Sequence, residues 1–319
     1  MKTRSIALLS GEPSTIPAAE ARALFLAYDP YARFEAPEQR VLISDSTADP
    51  DLVSSRVAFC RRVGPLFDSL KEAEPVLAGK RIRFRCIPIV KGAESVSASS
   101  FLEGFDSATI DIEHPDCELT LVRGERDYLA VTRPTGMRQG WHLRRPRRRP
   151  YFHPSAIFPK LSRALVNLSR CREGGVLLDP FAGTGSIPIE ASAIGLSALA
   201  LDRSEVSVRG ALSNAKHFGL KWLGAVRGDA LSPPFSEVDA VVCDIPYGRA
   251  SSTMGSGTDA LLEGALKAIP SLLKAGSFAV VMHRESSTVK GGSSLSLVEE
   301  HSIYVHKTLT RTVSVLRRN

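Results

Sequence analysis

A glycine-containing turn between two apolar segments is the first place in this sequence where residue types and spacing indicate chemistry. Residues 176–179 (VLLD) form a short apolar run that ends in Asp179, and residues 180–185 (PFAGTG) follow before a helical pattern begins. Gly183 and Gly185 let the backbone approach a bound molecule closely, at the positive end of the following helix. The turn therefore predicts a nucleotide-type site at the carboxyl edge of a parallel sheet.

The same turn lacks both common phosphate-binding fingerprints. Gly183-Thr184-Gly185 is followed by Ser-Ile-Pro, so the third glycine of the dinucleotide motif is missing. No Gly-Lys-Ser/Thr sequence follows either, which excludes a P-loop. A nicotinamide dehydrogenase is therefore disfavoured. Asp179, immediately before the turn, suits a ligand with an amino or hydroxyl donor and not an additional phosphate.

Three further acids follow the next apolar segments of the C-terminal half. Asp202 ends ALALD, Asp229 follows AVRG, and Asp244 follows AVVC. A carboxylate such as Asp202 can accept hydrogen bonds from both hydroxyls of a ribose, and Asp229 can accept one from an adenine amine. Four acids at consecutive strand ends predict a ligand with an adenosine part and a cationic part. The alternative is that they serve as helix caps and turn residues.

Residues 244–247 read Asp-Ile-Pro-Tyr and follow the fourth of these strands. The tetrapeptide resembles the Asp/Asn-Pro-Pro-aromatic loop of amine-directed methyltransferases that use S-adenosylmethionine, with Ile245 in place of the first proline. In such a loop, Asp244 and the carbonyl near Pro246 accept the hydrogens of an exocyclic amine and aim its nitrogen. Asp244 then takes the proton that the methylated amine releases. Tyr247 offers a ring on which an extruded base can stack.

The elements that must position these residues are predicted by alternating strand and helix patterns. Short apolar runs predict strands at 175–178, 197–201, 223–227, 239–243, 277–282, 302–307 and 311–317. Apolar residues at helical spacing predict helices at 159–169, 186–194, 204–217 and 259–273. Strands separated by helices imply a parallel sheet, whereas the last two strands, joined by a short link, should form an antiparallel hairpin.

The N-terminal half is predicted to be an α+β region of one or two small modules. Its strand patterns lie at 5–9, 40–44, 81–89, 117–122 and 127–132, and its helical patterns at 17–27 and 52–60. Within 80–86, Arg81, Arg83 and Arg85 alternate with apolar residues, so one face of that strand should be basic and the other buried. The basic face is either a solvated surface or a contact for RNA.

Charge favours a polyanionic partner. The formal net charge is +7, and residues 144–149 (RRPRRR) supply five arginines within six positions. A run of this kind between two folded regions is either a solvated linker or a set of phosphate contacts. The candidate RNA contacts are Arg144, Arg145, Arg147, Arg148 and Arg149.

Composition excludes several classes of protein. With 43% hydrophobic and 24% charged residues, the sequence is typical of a globular protein and not of a disordered or collagen-like chain. Five scattered cysteines without a CxxC pair fit neither a disulfide framework nor a zinc ribbon, and the histidines lack metal-ligand spacing, so no metal is predicted. The absence of a long apolar run predicts a cytoplasmic protein without a membrane segment.

Two further segments extend the resemblance beyond the Asp-Ile-Pro-Tyr loop. Residues 144–169 (RRPRRRPYFHPSAIFPKLSRALVNLS) and the segment HKTLTR at 306–311 occur in the order found in THUMP-containing tRNA methyltransferases of the archaeal type, which modify guanosine 10 at N2. Residues 10–24 and 111–133 are similar to the N-terminal region of that family. The resemblance implies a Rossmann-like methyltransferase domain of class I that depends on S-adenosylmethionine, preceded by an α+β ferredoxin-like and THUMP region.

The resemblance also implies a domain division and a set of site residues. The expected divisions are a ferredoxin-like module at 1–65, a THUMP-like RNA-binding module at 66–135, an arginine-rich linker at 136–150 and the methyltransferase domain at 151–319. The residues expected to bind S-adenosylmethionine are Asp179, Ala182, Gly183, Thr184, Gly185, Asp202, Asp229 and Ala230. Asp244, Pro246 and Tyr247 are expected to act on the guanosine of a tRNA, with a monomer favoured.

Two other functions fit the residues and stay open. The same loop could present adenine N6 in RNA or DNA, because it recognises the geometry of an amine and the discriminating contacts lie elsewhere. From a different class, the chain could be a non-catalytic RNA-binding protein with a vestigial cofactor fold. The retention of Asp179, Gly183, Asp202 and Asp244 argues against that second function.

Overall fold

Two β-sheets organise the chain, one in each of two units, Met1–Gln139 and Gly140–Asn319. This computed structural model describes residues 2–12, 15–133, 140–246, 257–285, 287, 289, 292–306 and 309–319. Within those ranges, no helix is long and apolar enough to cross a membrane.

The first unit contains an eight-stranded sheet in the order β2-β3-β1-β4-β8-β7-β5-β6. Its strands are β1 (Thr3–Leu9), β2 (Arg33–Glu38), β3 (Val41–Ser46), β4 (Cys60–Phe67), β5 (Arg81–Pro88), β6 (Thr109–Ile110), β7 (Cys117–Arg123) and β8 (Asp127–Thr132). Its helices are α1 (Ile16–Tyr28), α2 (Pro50–Arg56), α3 (Leu70–Leu77) and α4 (Ala98–Phe101). The mixture of helices and strands confirms the predicted α+β character of this half.

Strand β4 connects the two parts of that sheet. Its residues 60–65 pair with β1, and Leu66 and Phe67 pair with β8. The module boundary predicted between residues 65 and 66 coincides with this change of partner, and the assignment of the two modules stays a prediction. The predicted helix at 52–60 is wrong at its end, since α2 stops at Arg56 and Cys60 already belongs to a strand.

The alternating arginines of β5 surround a buried carboxylate. Glu118 on β7 is fully buried, and its carboxylate lies 2.8 Å from Arg62 Nε, 3.4 Å from Arg83 Nη1 and 3.2 Å from Arg85 Nε. We call these four residues the Glu118 cluster. Parallel pairing places Arg83 directly beside Glu118, so one acid on the neighbouring strand partly neutralises the basic face.

The second unit contains a seven-stranded sheet in the order β11-β10-β9-β12-β13-β15-β14. Its strands are β9 (Val176–Asp179), β10 (Ser197–Asp202), β11 (Gly224–Arg227), β12 (Val238–Asp244), β13 (Leu273–Arg284), β14 (Leu295–His306) and β15 (Leu309–Arg318). A short 3-10 helix (Pro146–Arg148) precedes helices α5 (Pro159–Leu168), α6 (Ser186–Ser192), α7 (Glu205–His217) and α8 (Gly257–Leu272). The predicted strands and helices of this half are confirmed, but β13 begins four residues and β14 seven residues before the predicted strands at 277–282 and 302–307.

Strand order in the second sheet reverses between β9 and β12. From β9 the chain continues to β10 and β11 on one side, then returns to place β12 and β13 on the other. These five strands pair in parallel, whereas β15 runs antiparallel between β13 and β14. In such sheets the connections diverge where the order reverses, and ligands bind in the crevice at the carboxyl ends of the strands. Asp179 and Asp244 are the last residues of the two strands at that point.

The Glu118 cluster gives a testable stability effect. We expect Glu118→Gln to lower the free energy of unfolding by about 3 kcal/mol, because three guanidinium groups then face each other without the buried anion. Urea unfolding measures this effect. Glu113→Gln, which changes an exposed acid of the same unit, should change the free energy of unfolding by less than about 0.5 kcal/mol. Equal effects of the two substitutions would contradict the prediction.

Candidate active site

The turn after β9 has the backbone that its glycines predict. Gly183 has φ +52° and Gly185 has φ +81°, both in the left-handed region that other residues adopt only at a cost. A Cβ on Gly185 would lie 2.6 Å from the ring of Trp222. The Ala182 amide donates to Leu201 O at 2.9 Å, which fixes the turn against the end of β10.

Asp202 at the end of β10 holds this turn from the other side. Its Oδ2 accepts a hydrogen bond from the Gly183 amide at 2.9 Å, and its Oδ1 accepts one from the Ser204 amide at 2.8 Å. Each carboxylate oxygen can accept a second bond, so the group is oriented by the backbone while retaining acceptor capacity. The structure therefore brings the glycine turn and the predicted ribose acceptor together.

Asp179 is buried without a cationic partner in the part of the chain that the structure describes. It is 2% exposed, and its Oδ1 accepts a hydrogen bond from the Phe181 amide at 3.0 Å. Burial raises the pKa of Asp179 well above its usual value, and the charges of Asp244 and Asp202 raise it further. Three acids thus influence one another at this sheet edge, which favours a ligand that brings positive charge.

The two carboxylate oxygens of Asp244 have different hydrogen-bond surroundings. Its Oδ2 accepts a hydrogen bond from Arg311 Nη1 on β15 at 3.0 Å. Its Oδ1 is buried and has no hydrogen-bond partner among the described residues. Burial raises the pKa of Asp244 to about 6, against the opposing effect of Arg311. The carboxylate is therefore oriented by Arg311, and its Oδ1 is an acceptor that the described part of the chain leaves unsatisfied.

The residues after Asp244 divide between core and surface. Ile245 is buried in the hydrophobic core, where it packs with Leu262 and Val281, and its amide donates to Met282 O at 2.9 Å. That environment accounts for an apolar side chain at the second position of the motif. Pro246 is half-buried. The third predicted catalytic residue, Tyr247, lies outside the described residues.

Asp229 and Ala230 follow β11 at the same edge of the sheet. Asp229 is exposed, and its Oδ1 accepts a hydrogen bond from the Leu231 amide at 3.0 Å. Ala230 is buried in the core. The arrangement is an Asx turn that leaves the remaining carboxylate oxygen of Asp229 accessible, as an acceptor for an adenine amine requires.

The arginine run is divided by the structure. Arg145, Arg147 and Arg148 are exposed, as a contact with RNA phosphates requires. Arg144 instead binds the fully buried Glu190 of α6, with 2.6 Å between Nε and Oε1, and the same carboxylate lies 2.8 Å from Arg163 Nη2. We call Arg144, Arg163 and Glu190 the Glu190 cluster.

Arg149 is the second arginine of the run that points into the unit. It is 5% exposed, and its Nη1 donates to Ser186 Oγ at 2.7 Å and to Thr184 Oγ1 at 3.3 Å. The segment after it is fixed by Asn214, whose side chain bonds the backbone of Tyr151 and donates to Thr184 O at 2.9 Å. The end of the predicted linker is therefore part of the wall of the glycine turn.

Residues 146–312 match the protein family described as RMKL-like, methyltransferase domain. The matched range contains the glycine turn, the four strand-end acids and Arg311. This chain belongs to the RMKL-like methyltransferase-domain family. The predicted family resemblance and the predicted Rossmann-like fold of this methyltransferase domain are confirmed.

Relatives of this methyltransferase cover nearly its whole length. A tRNA (guanine(10)-N2)-dimethyltransferase from Methanothermobacter thermautotrophicus is 28% identical over 98% of this chain and 98% of that protein. A probable tRNA (guanine(10)-N2)-dimethyltransferase from Methanothermococcus thermolithotrophicus is 34% identical over 50% of this chain and 98% of that protein. The crystal structure of TrmN from Thermus thermophilus covers 99% of this chain, with a TM-score of 0.51 and 19% identity, which shows the fold alone.

Sequence reasoning missed three residues of this methyltransferase site. Arg311 was read only as part of a terminal hairpin, and Asn214 only as part of a helix. Arg149 was placed in a charge run, where its neighbours gave no reason to separate it. The one available signal was the position of Arg311 as the first residue of the strand predicted at 311–317, directly before the chain's last buried segment, 312–316.

The burial of Asp179 lowers the stability of this methyltransferase by an amount that depends on pH. The folded protein retains a proton on Asp179 at pH values where the unfolded chain has released it, so this group destabilises the fold increasingly as the pH rises above about 4. We expect Asp179→Asn to raise the Tm of the ligand-free protein by about 2–4 °C at pH 8 and by less at pH 5.

Differential scanning calorimetry at the two pH values measures that change. Asp239→Asn is the matched control, because hydrogen bonds from Lys274 and from the Val176 amide lower the pKa of Asp239. That substitution removes a stabilised carboxylate and should lower the Tm. If Asp179→Asn also lowered the Tm, the prediction that the charge of the buried Asp179 destabilises the folded protein would be wrong.

Proposed function

We propose that this protein transfers a methyl group from S-adenosylmethionine to the exocyclic N2 of a guanosine in tRNA, at position 10. The observation that carries the proposal is the pair of oxygens of Asp244: Arg311 holds one, and the other is buried with no hydrogen-bond partner among the residues that the structure describes. The names of relatives that align along the whole chain support guanine N2 as the acceptor. The proposal needs no metal ion and no second subunit, and it places the enzyme in the cytoplasm.

The residues around the glycine turn fit S-adenosylmethionine. The buried Asp179 and its acidic neighbours favour a ligand with positive charge, and this cofactor carries a sulfonium and an ammonium group. Gly183 and Gly185 leave room beside the turn, and Asp202 and Asp229 retain acceptor capacity for ribose hydroxyls and an adenine amine. When bound, the cofactor supplies an electrophilic methyl group.

Asp244 prepares the amine in this proposal. The lone pair of an exocyclic amine is delocalised into the base, so the nitrogen is a weak nucleophile. Asp244 Oδ1 accepts one N–H of that amine, which orients the nitrogen and stabilises the positive charge that develops there. The same oxygen receives the proton that the methylated nitrogen loses. Arg311 holds the other oxygen, so the carboxylate cannot rotate away from the amine.

Contacts with the tRNA are assigned to the exposed arginines and to the first unit. Arg145, Arg147 and Arg148 are available to phosphates, and the chain has a net charge of +7. Phosphate contacts of this type position an RNA without reading its sequence. In this proposal, residues 1–65 form a ferredoxin-like module and residues 66–135 a THUMP-like module that bind the remainder of the tRNA.

Transfer of labelled methyl from S-adenosylmethionine to an unmodified tRNA transcript tests the function. Nucleoside analysis should find N2-methylguanosine or its dimethyl form, and the product should disappear when guanosine 10 is replaced. Asp244→Ala should lower turnover by at least about 1,000-fold, because both the acceptor and the base are lost. Its affinity for the cofactor should stay within about threefold of wild type, as measured by calorimetry.

Other results of that assay would contradict particular parts of the proposal. N6-methyladenosine in the product would replace guanine N2 by adenine N6 as the acceptor. Cofactor binding without label in any tRNA would exclude tRNA as the substrate. An Asp244→Ala variant with most of its turnover would show that this carboxylate does not act on the amine.

The pH dependence of the reaction follows from the ionisation of Asp244. Only the carboxylate form accepts the amine, and its pKa is about 6 in the protein, so kcat/KM should rise about tenfold per pH unit below 6 and level off above it. The charged or titratable neighbours are Arg311, Asp179 and the Cys243 thiol, whose pKa is also raised by burial.

Removal of Arg311 should move this profile. Arg311→Gln deletes the cation that lowers the pKa of Asp244, so the midpoint should shift upward by on the order of one pH unit. Arg311→Lys should show a smaller shift. Single-turnover rates between pH 5 and 8.5 measure both, and an unshifted midpoint in the glutamine variant would contradict the role of Arg311.

A further inference from the structure

Strand β5 of the first unit has an apolar face and an arginine face. The ring of Phe84 stacks on Phe101 of α4, with 5.0 Å between the ring centroids. Side chains alternate between the two faces of a strand, so Arg81, Arg83 and Arg85 lie on the face opposite to that helix. The groups that surround these arginines decide whether they are only solvated or bind a partner.

The Glu118 cluster on this face holds three guanidinium groups around one carboxylate. Glu118 is fully buried, and Arg62, Arg83 and Arg85 all lie within 3.4 Å of its oxygens. Burial lowers the pKa of Arg62, the charge of Glu118 opposes that effect, and the charges of Arg85 and Arg83 lower the pKa further. The cations therefore repel one another, and the single acid leaves the cluster with a net positive charge.

Arg85 presents this positive charge to solvent. Its side chain is 43% exposed, whereas that of Arg62 is 12% exposed. Its Nε donates to Glu118 Oε1 at 3.2 Å, and its two terminal nitrogens have no hydrogen-bond partner among the residues that the structure describes. The N–H donors of both terminal nitrogens are therefore available to an anion that approaches from solvent.

Arg83 is held at the same carboxylate oxygen as Arg85. Its Nη1 lies 3.4 Å from Glu118 Oε1, so the two guanidinium groups are near enough for one tetrahedral anion to contact both. An anion in that position reduces the repulsion between them. Planar guanidinium donors match the oxygens of a phosphate, and charge-assisted hydrogen bonds of this kind are among the strong ones.

Arg81 lies on the same face, but acids neutralise its charge. Its Nη2 is 2.8 Å from Asp116 Oδ1, and its Nη1 is 3.8 Å from Asp111 Oδ2. Hydrogen bonding to Asp116 raises the pKa of Arg81. The side chain is 52% exposed, so exposure does not explain why Arg81 and Arg85 should differ toward an anion. The difference lies in the number of acids that each guanidinium meets.

We propose that Arg85 and Arg83 bind backbone phosphates of the tRNA, on the face of the first sheet that carries the Glu118 cluster. The inference rests on the proposed function and deepens it, because it assigns one surface of the first unit to the RNA. Glu118 holds the guanidinium groups in position while leaving the surface positively charged. Contacts with phosphates position an RNA without reading its sequence.

The salt dependence of tRNA binding tests this assignment. Full-length protein is titrated with a fluorescently labelled, unmodified tRNA transcript between about 50 and 200 mM salt. Each phosphate contact contributes about 0.7–0.9 to the slope of log K against log salt concentration. Arg85→Gln should reduce the magnitude of the slope by about that amount and weaken binding about fivefold near 0.1 M salt, because one contact is lost.

Two further variants separate charge from other effects. Arg81→Gln is the matched control, since it removes an exposed arginine from the same face of the same strand, and it should leave the slope and the affinity unchanged. Arg85→Lys should retain most of the slope, because counterion release depends on charge. Calorimetry establishes that each variant is folded, and if Arg85→Gln does not fold, Arg83→Gln takes its place in the comparison.

Other outcomes would overturn the proposal or the function on which it rests. A slope of wild-type size in Arg85→Gln would show that this face is only solvated. Equal losses in Arg81→Gln and Arg85→Gln would show that sharing one carboxylate does not select the site. A wild-type protein that shows the expected Arg85 dependence but transfers no methyl group to tRNA would refute the proposed function and leave this surface as an RNA contact.

Discussion

The second unit depends on an electrostatic constraint that its own residues do not satisfy. Strand order reverses between β9 and β12, and this reversal places the buried Asp179 and the half-buried Asp244 at adjacent strand ends. Arg311 is bonded to Asp244 and not to Asp179, and desolvation disfavours the charged form of both carboxylates, as their raised pKa values indicate. The cost is consistent with a site that is completed by a cationic ligand, because such strain is retained where binding offsets it.

Other buried acids in the chain have cationic neighbours that Asp179 lacks among the described residues. In the Glu118 cluster and the Glu190 cluster, each acid lies between arginines at 2.6–3.4 Å. These acids are therefore neutralised within the fold. Asp179 is equally buried, but its hydrogen bond comes from the Phe181 amide and its charged neighbours are Asp202 and Asp244, which raise its pKa. The difference in electrostatic surroundings distinguishes the sheet edge from the two clusters.

Much of this architecture could be predicted from the sequence because it depends on local patterns. Short apolar runs that end in Asp179, Asp202 and Asp244 indicated parallel strands and the edge at which their acids meet. The partner of Asp244 could not be predicted in that way, since Arg311 is 67 residues away and reaches it only through the pairing of β13 with β15. Arg149 is predicted from the sequence as a candidate RNA contact, because composition does not show which members of a charge run turn inward.

The two arginines differ in what they do for the acids near them. Arg311 is bonded directly to Asp244, so it lowers the pKa of a carboxylate whose pKa burial raises. Arg149 bonds the hydroxyls of Thr184 and Ser186 and not an acid, so it fixes the backbone and side chains of the glycine turn. Arg311 therefore acts on the ionisation of the proposed amine acceptor, whereas Arg149 acts on the shape of the turn that the proposed cofactor would meet. Both arginines are needed because a single turn cannot orient a carboxylate on another strand.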